Sequence, residues 1–251
     1  MNARIRFSIA MMLACMAVAT AHAGRVEVAV AAHVAAPIRL IAEDFQRKTG
    51  NVVVLSTAPT SQLYTQIQQG AHYDVLVAGN DVLPARLEAA RKAVPGTRYT
   101  YAMRRLALWS PREGYVDPHG AVLKDNQFQH LSVASPDLLP YGRPAMQVLD
   151  RLGLRGTVTD KLIERHNASD TRRFLAGDNS ELGFVMLSHV YKNSRIERGS
   201  AWIVPTSLYD PIRQDAVLLE TGKENLAARS FLFYLKGPKV SQIMRSYGFN
   251  R

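Results

Sequence analysis

Apolar residues along this chain fall into short runs separated by stretches with helical spacing. Val26-Glu27-Val28-Ala29-Val30 reads as a strand, and Ala31 to Ala36 follows as a turn of mostly small residues. Ile38, Ile41 and Phe45 then recur at helical spacing, with Arg39, Glu43, Arg47 and Lys48 on the other side. That spacing predicts an amphipathic helix over 37–49, opened by Pro37 and ended by Gly50. The unit repeats at once. Val52 to Leu55 reads as a strand, 56–61 as its turn, and Leu63 with Ile67 marks a helix over 61–69 stopped by Gly70. Apolar runs predict further strands at 73–78, 103–109 (ended by Pro111), 131–135, 182–187, 202–205 and 216–219. Helices are predicted at 83–92, 144–153, 159–163, 169–177 (Ser169 or Asp170 as N-cap), 224–235 and 239–247.

Alternating strands and helices imply an α/β architecture with mostly parallel sheets flanked by helices. No Pro/Gly/Ser linker separates two independent domains, so two lobes would have to be joined by crossing strands. Those crossings fall near 101–105 and 209–215. The repeated strand–turn–helix unit has a chemical consequence. Each helix start directs unpaired backbone N–H groups, and the positive end of a dipole, beyond the strand. Two such starts meeting at one crevice make a seat for an anion without a charged side chain.

The first 23 residues read as a removable export signal. Arg4 and Arg6 give a basic start, Phe7 to Thr20 is apolar, and Ala21-His22-Ala23 fits the cleavage pattern, leaving Gly24 first. The run is short for a span of ~30 Å of hydrocarbon, which places the mature chain in the periplasm rather than in the membrane. Cys15, the only cysteine, lies inside the run. Lipidation there after Met12-Leu13-Ala14 explains the segment less well than Ala-His-Ala cleavage does. The mature chain then needs no disulfide and offers no thiol chemistry. The formal net charge is +10, of which Arg4 and Arg6 carry two. The remaining basic residues, among them Arg104-Arg105 and Arg172-Arg173, are scattered, so they read as a solvated basic surface rather than a nucleic-acid track.

The ordered set of Ala31-Ala32, Glu43 to Gly50, Ser61-Gln62-Leu63, Gln66-Ile67, Gly70-Ala71, Asp74 to Ala78, Pro136 to Gly142 and Gly183-Phe184-Val185 resembles the periplasmic molybdate-binding proteins of ABC transporters. Tyr234-Leu235-Lys236-Gly237-Pro238 and Tyr247-Gly248-Phe249 extend that resemblance to the C-terminus, so it runs the length of the mature chain. It implies the two-lobed periplasmic-binding-protein fold, with lobe one at 24–102 and 210–251, lobe two at 103–209, and two crossing strands as the hinge. It also implies that a tetrahedral oxyanion, molybdate or tungstate, is trapped between the lobes by backbone N–H groups and hydroxyls rather than by lysine or arginine. An inner-membrane permease then recognises the closed form. No cofactor, resident metal or nucleic acid is implied, and a monomer is expected.

At the family's binding positions the residues differ. His33 stands where the first turn offers a serine hydroxyl, and Thr60 replaces the second serine. Tyr141 aligns with a small residue that gives only its N–H. Thr171 falls at the next backbone donor, and Met186 takes the place of a tyrosine hydroxyl, as pocket wall. A hydrogen bond to a charged group is worth ~1.5–3 kcal/mol, so the missing donor at Met186 weakens binding by about tenfold to a hundredfold. His33 or the Tyr141 hydroxyl stands as its replacement. Histidine, tyrosine and methionine also suit a metal, but no ligand spacing such as paired histidines one helical turn apart accompanies them. There is no Gly-x-Ser-x-Gly elbow, His-Glu-x-x-His helix, Walker loop or dinucleotide glycine pattern, so an enzyme is not expected. Two alternatives stay open: the same fold holding an organic acid or a metal species, or an exported sensor partner or adhesin.

Overall fold

A computed structural model of the chain describes residues 23–137, 139, 141–177 and 181–250; apart from Ala23, the expected leader lies outside them. Strands follow in the order β1 (Arg25–Ala31), β2 (Val52–Ala58), β3 (Val75–Val77), β4 (Tyr99–Arg104), β5 (Leu106–Ser110), β6 (Leu131–Ala134), β7 (Leu162–Arg165) and β8 (Leu182–Met186). A small hairpin of β9 (Tyr191–Lys192) and β10 (Arg195–Ile196) precedes β11 (Ser200–Ile203), β12 (Ile212–Leu218) and β13 (Phe249–Asn250). The helices are α1 (Ala35–Thr49), α2 (Thr60–Gln68), α3 (Val82–Ala89), α4 (Val122–Asp125), α5 (Gly142–Arg151), α6 (Arg155–Val158), α7 (Ala168–Ala176), α8 (Leu226–Tyr234) and α9 (Pro238–Ser246).

Two mixed sheets define two lobes. One has the order β13-β4-β12-β3-β1-β2, the other β11-β5-β8-β6-β7. The parallel pairings expected from the strand–helix repeat hold β1 to β2 and β3, and β6 to β7 and β8. Three of the five pairings in the first sheet and two of the four in the second are antiparallel, so the sheets are mixed rather than mostly parallel, because the strands that carry the chain between lobes enter them in reverse. Strand β1 is buried on both faces. Val26, Val28 and Val30 pack with Ile38, Ile41, Phe45 and Phe231, while Ala29 joins Leu63, Ile67, Leu76 and Leu87 behind the sheet. The second lobe repeats this division. Leu106, Leu108 and Phe184 face Val148 and Leu149, and Trp109 and Val185 face Phe174. Each such large side chain contributes about 1.5–3 kcal/mol of burial.

The chain leaves the first sheet at Arg104, passes Arg105 and enters the second at Leu106. It returns through 204–211 and rejoins the first sheet at Ile212. Met103 and Arg104 therefore belong to the first sheet, two residues beyond the expected boundary at 102, and the expected strand at 103–109 is two strands broken at Arg105. The two crossings touch where the Leu106 N–H donates to the Tyr209 hydroxyl at 3.1 Å.

The C-terminal motifs are fasteners. The Tyr234 ring packs edge-on to Phe45 at 5.3 Å and its hydroxyl donates to Asp44, tying α8 to α1. Gly237 precedes α9 with Pro238 in its first turn. Gly248 has φ +81°, and a Cβ there would lie 3.0 Å from Leu187 of the second lobe. Only glycine lets Phe249 pair with Arg104 beside the hinge.

Three local expectations change. The predicted short helix at 159–163 is a 3-10 turn over Thr159–Lys161 running into β7, because parallel pairing of Leu162 with Leu131 overrides helical spacing. Helix α7 begins one residue earlier than expected, and its cap is Asn167, whose Oδ1 accepts from the Asp170 N–H at 3.0 Å. Strand β12 starts at Ile212 rather than 216, since its polar half, Arg213-Gln214-Asp215, is the crossing itself and carries no apolar signal.

Candidate functional site

The chain turn after β1 is a 3-10 turn over Ala32–Val34, leading straight into α1 two residues before Pro37. It presents His33 at the C-terminal end of the first sheet. The turn after β2 brings Thr60 to the start of α2. The two converge on Gly79, which follows β3. A Cβ there would lie 2.4 Å from His33 Cε1 and 3.1 Å from Thr60 Oγ1. Thr60 Oγ1 accepts the Gly79 N–H at 3.0 Å, which leaves its own O–H to donate. Gly79 is thus the seat that lets an imidazole and a hydroxyl share one small volume.

Gln214 closes the floor from β12. Its register with β4 shifts between Gln214 and Asp215, a bulge that turns the Gln214 side chain inward. The residue is fully buried, its Nε2 donates to His33 Nε2, and its Oε1 has no partner.

The second lobe supplies the opposite wall. Tyr141 precedes α5, Thr171 lies in the first turn of α7, and their hydroxyls are 2.8 Å apart, both residues 5% exposed. The Thr171 N–H, expected as a donor to the ligand, donates to the Asn167 carbonyl at 3.2 Å inside the helix, and its hydroxyl is shared between that carbonyl at 3.4 Å and the Tyr141 hydroxyl, so the pair has at most one O–H to give a ligand. The Tyr141 ring stands edge-on to His189 at 6.1 Å. Met186 ends β8 fully buried, in register with Leu106 and packed in the core that includes Tyr141 and Tyr209. Its part is apolar support beneath Tyr141.

Arg104 joins the walls. It is 7% exposed, so it is not part of a solvated basic surface. Its Nη2 donates to His189 Nε2 at 3.3 Å, and its Nε is buried without a partner. Water reaches His33 and His189, as it does side chains on the wall of a crevice, yet protein crowds both rings. That crowding, with the Arg104 charge, lowers the pKa of each from 6.5 to about 3; His189 adds to the effect on His33. Both imidazoles are therefore neutral at pH 7, and each accepts a hydrogen bond at Nε2. Burial raises the Tyr141 pKa, opposed by Thr171 and Arg104, so its hydroxyl keeps its proton. Burial lowers the Arg104 pKa to about 10, which leaves it charged.

Beside this cluster a cavity of about 210 Å3 opens between the lobes, lined by His33 and Pro37 on one side and Ser188, Tyr191 and Lys192 on the other. Among the described residues no group of three or more His, Cys, Asp or Glu side chains is placed to hold a metal ion.

Of the residues expected from sequence, His33 and Thr60 meet at one wall and Tyr141 and Thr171 at the other, with Met186 behind the second. Sequence reasoning missed Arg104, Gln214, Gly79 and His189. Arg104 and Gln214 sit at the two crossings, and a polar residue placed where a strand changes lobes was the available signal. Nothing local distinguished His189 from the other histidines.

Residues 26–250 match the model of a family described as bacterial extracellular solute-binding protein. A protein of Azotobacter vinelandii named molybdate-binding protein ModA is 48% identical over 238 residues, covering 95% of this chain and 93% of its own length. A Rhodobacter capsulatus protein of the same name is 42% identical over 229 residues, covering 91% and 89%. The solved structure of the periplasmic molybdate-binding protein of Azotobacter vinelandii aligns with a TM-score of 0.72 at 33% identity, covering 90% of this chain and 99% of that one.

Proposed function

The chain belongs to the bacterial extracellular solute-binding protein family, and on that premise we propose that it is the exported capture component of an ABC transporter, taking a tetrahedral oxyanion of the molybdate or tungstate type. The reading is supported by a group of small polar side chains in each lobe, Thr60 beside His33 and Gly79 in the first and Tyr141 paired with Thr171 in the second, beside the inter-lobe cavity that His33 lines. The names of the two curated relatives point to the same ligand. Helices α1, α2 and α5 begin at or beside these residues, so their N-termini add positive potential where the donors converge.

The mechanism is capture and closure. An oxyanion sheds water and accepts hydrogen bonds from hydroxyls and helix-start N–H groups that are already in place. Contacts from both lobes favour the closed arrangement, with the strand crossings at Arg105 and 204–211 as the hinge. The closed form is then what a permease in the inner membrane reads. The chain performs no covalent step in this account. It acts as a monomer in the periplasm, released there by cleavage after Ala23.

Titration calorimetry at pH 7 with molybdate, tungstate, sulfate and phosphate tests the proposal. Heat at micromolar or tighter affinity is expected from the first two alone. Silence from all four together with a response to small carboxylates would replace the oxyanion by an organic acid. That second reading is favoured by one observation, the buried guanidinium of Arg104, whose planar fork fits a carboxylate edge.

A further inference from the structure

We propose that Arg104 is a ligand-contacting residue, supplying the positive charge that neutralises the bound anion from the floor of the crevice. The inference rests on the oxyanion reading above and departs from the hydroxyl-and-backbone scheme that the family resemblance implies.

Three observations carry it. First, Arg104 is 7% exposed and, among the described residues, no carboxylate lies within 4.0 Å of it. A buried guanidinium without a counter-charge is costly to keep, and a fold retains one only where something answers the charge. Second, what surrounds it is neutral: it donates to the His189 imidazole, and Tyr141 and Tyr101 are hydroxyls that keep their protons. Its Nε–H remains without any acceptor. Third, it sits at the strand crossing, touches His189 of the second lobe at 3.3 Å, and its charge also bears on His33 of the first lobe and on Tyr141, so the guanidinium lies near groups of both lobes. A guanidinium placed there offers parallel N–H groups to two oxygens of one anion, which neither a hydroxyl nor a lysine reproduces.

The ligand class follows. The site takes a small oxyanion or carboxylate with at least one full negative charge, and it rejects neutral isosteres, because those would leave the guanidinium unanswered. Charge, as well as size, then sets specificity.

The test compares wild type, Arg104→Gln and Arg104→Lys in thermal melts and calorimetry with molybdate, tungstate, sulfate, phosphate and malonate. Arg104→Gln is expected to weaken the binding of whichever anion wild type takes by about a hundredfold or more. Arg104→Lys keeps the charge but loses the fork, so a loss of about tenfold is expected. The ligand-free Arg104→Gln protein is expected to melt at or above the wild-type temperature, since an unanswered buried charge has been removed. A structural arginine would instead lower it. Wild-type affinity for molybdate or tungstate in either variant would overturn the inference and leave the oxyanion reading standing. Response to malonate alone, lost in Arg104→Gln, would support the inference and overturn the oxyanion reading. No response of wild type to any of the five anions would overturn both. If Arg104→Gln fails to fold, wild-type affinity in Arg104→Lys still overturns the inference.

Discussion

The two walls of the crevice reach the same end by different means. The first-lobe wall is assembled from chain turns: His33 and Thr60 each follow a strand of the same repeated unit, and Gly79 follows a third. The second-lobe wall is assembled from side chains distant in sequence. Tyr141 and Thr171 pair across thirty residues, and His189 is held by Arg104 from the far side of the hinge. A wall of turns is set by backbone geometry and fails when sterics change. A wall of paired side chains is set by hydrogen bonds and fails one partner at a time.

The first way to break that contrast is Gly79→Ala. Its Cβ would stand 2.4 Å from His33 Cε1 and 3.1 Å from Thr60 Oγ1, so both groups must move. Overpacking of this kind costs about 1–3 kcal/mol of stability. Losing two aligned donors to an anion weakens binding by about a hundredfold or more. Calorimetry with the anion that wild type binds measures it, and an affinity within threefold of wild type would show that the first wall tolerates crowding.

Tyr141→Phe and Thr171→Val probe the other wall. Each breaks the bond between the two hydroxyls, so each is expected to cost about 1 kcal/mol of stability and about tenfold in affinity. The double variant is expected to lose less than the sum, because the two hydroxyls share one bond. Strict additivity in a double-mutant cycle would show that they act separately. His33→Ala is expected to cost less than Gly79→Ala, about tenfold, because the Thr60 hydroxyl, held by the Gly79 N–H, stays in place. It also frees the Gln214 amide, so His33→Gln, which can still reach that amide, is expected to recover part of the loss in the same titration.

The same contrast explains what was legible in the sequence. The strand–turn–helix repeat of the first lobe was visible because Val26 to Gly70 carries apolar spacing at both periods, and its turns hold the site. The second-lobe residues were located through family resemblance, and their partners were not. Nothing in the spacing of Tyr141 and Thr171 says that their hydroxyls meet; β6, α5, β7 and α7 must pack before they do. Thr171 was read as a backbone donor because its place in the motif was clear and its place in the helix was not. Arg104 was hidden for a related reason. Next to Arg105 it looks like one of several basic pairs, and only the strand break between them sends Arg104 to a buried position while Arg105 stays half-buried.

The smallest expected effect is on pH, and it weighs the walls against each other directly. In the empty protein the pKa values of His33 and His189 lie near 3 rather than 6.5. Between those values the unfolded chain binds protons that the folded chain refuses, so stability is full above about pH 6.5 and declines as pH falls toward 3. Asp44, held below the usual carboxylate range by Lys48 and Tyr234, begins to lose its contribution only below its ordinary value of 3.8. The decline between pH 6 and 4.5 therefore reports the histidines rather than this carboxylate. Melting temperature of the ligand-free protein across that range is expected to fall, and less steeply in His33→Gln and in His189→Gln. Burial and the Arg104 charge depress both histidines to about the same value, so the two variants are expected to flatten the curve to a similar degree. A bound anion offsets the Arg104 charge and raises both histidine pKa values, so the loaded protein should lose less stability over the same interval. Equal slopes in empty and loaded protein would place the anion away from both imidazoles and break the picture of two walls around one guest.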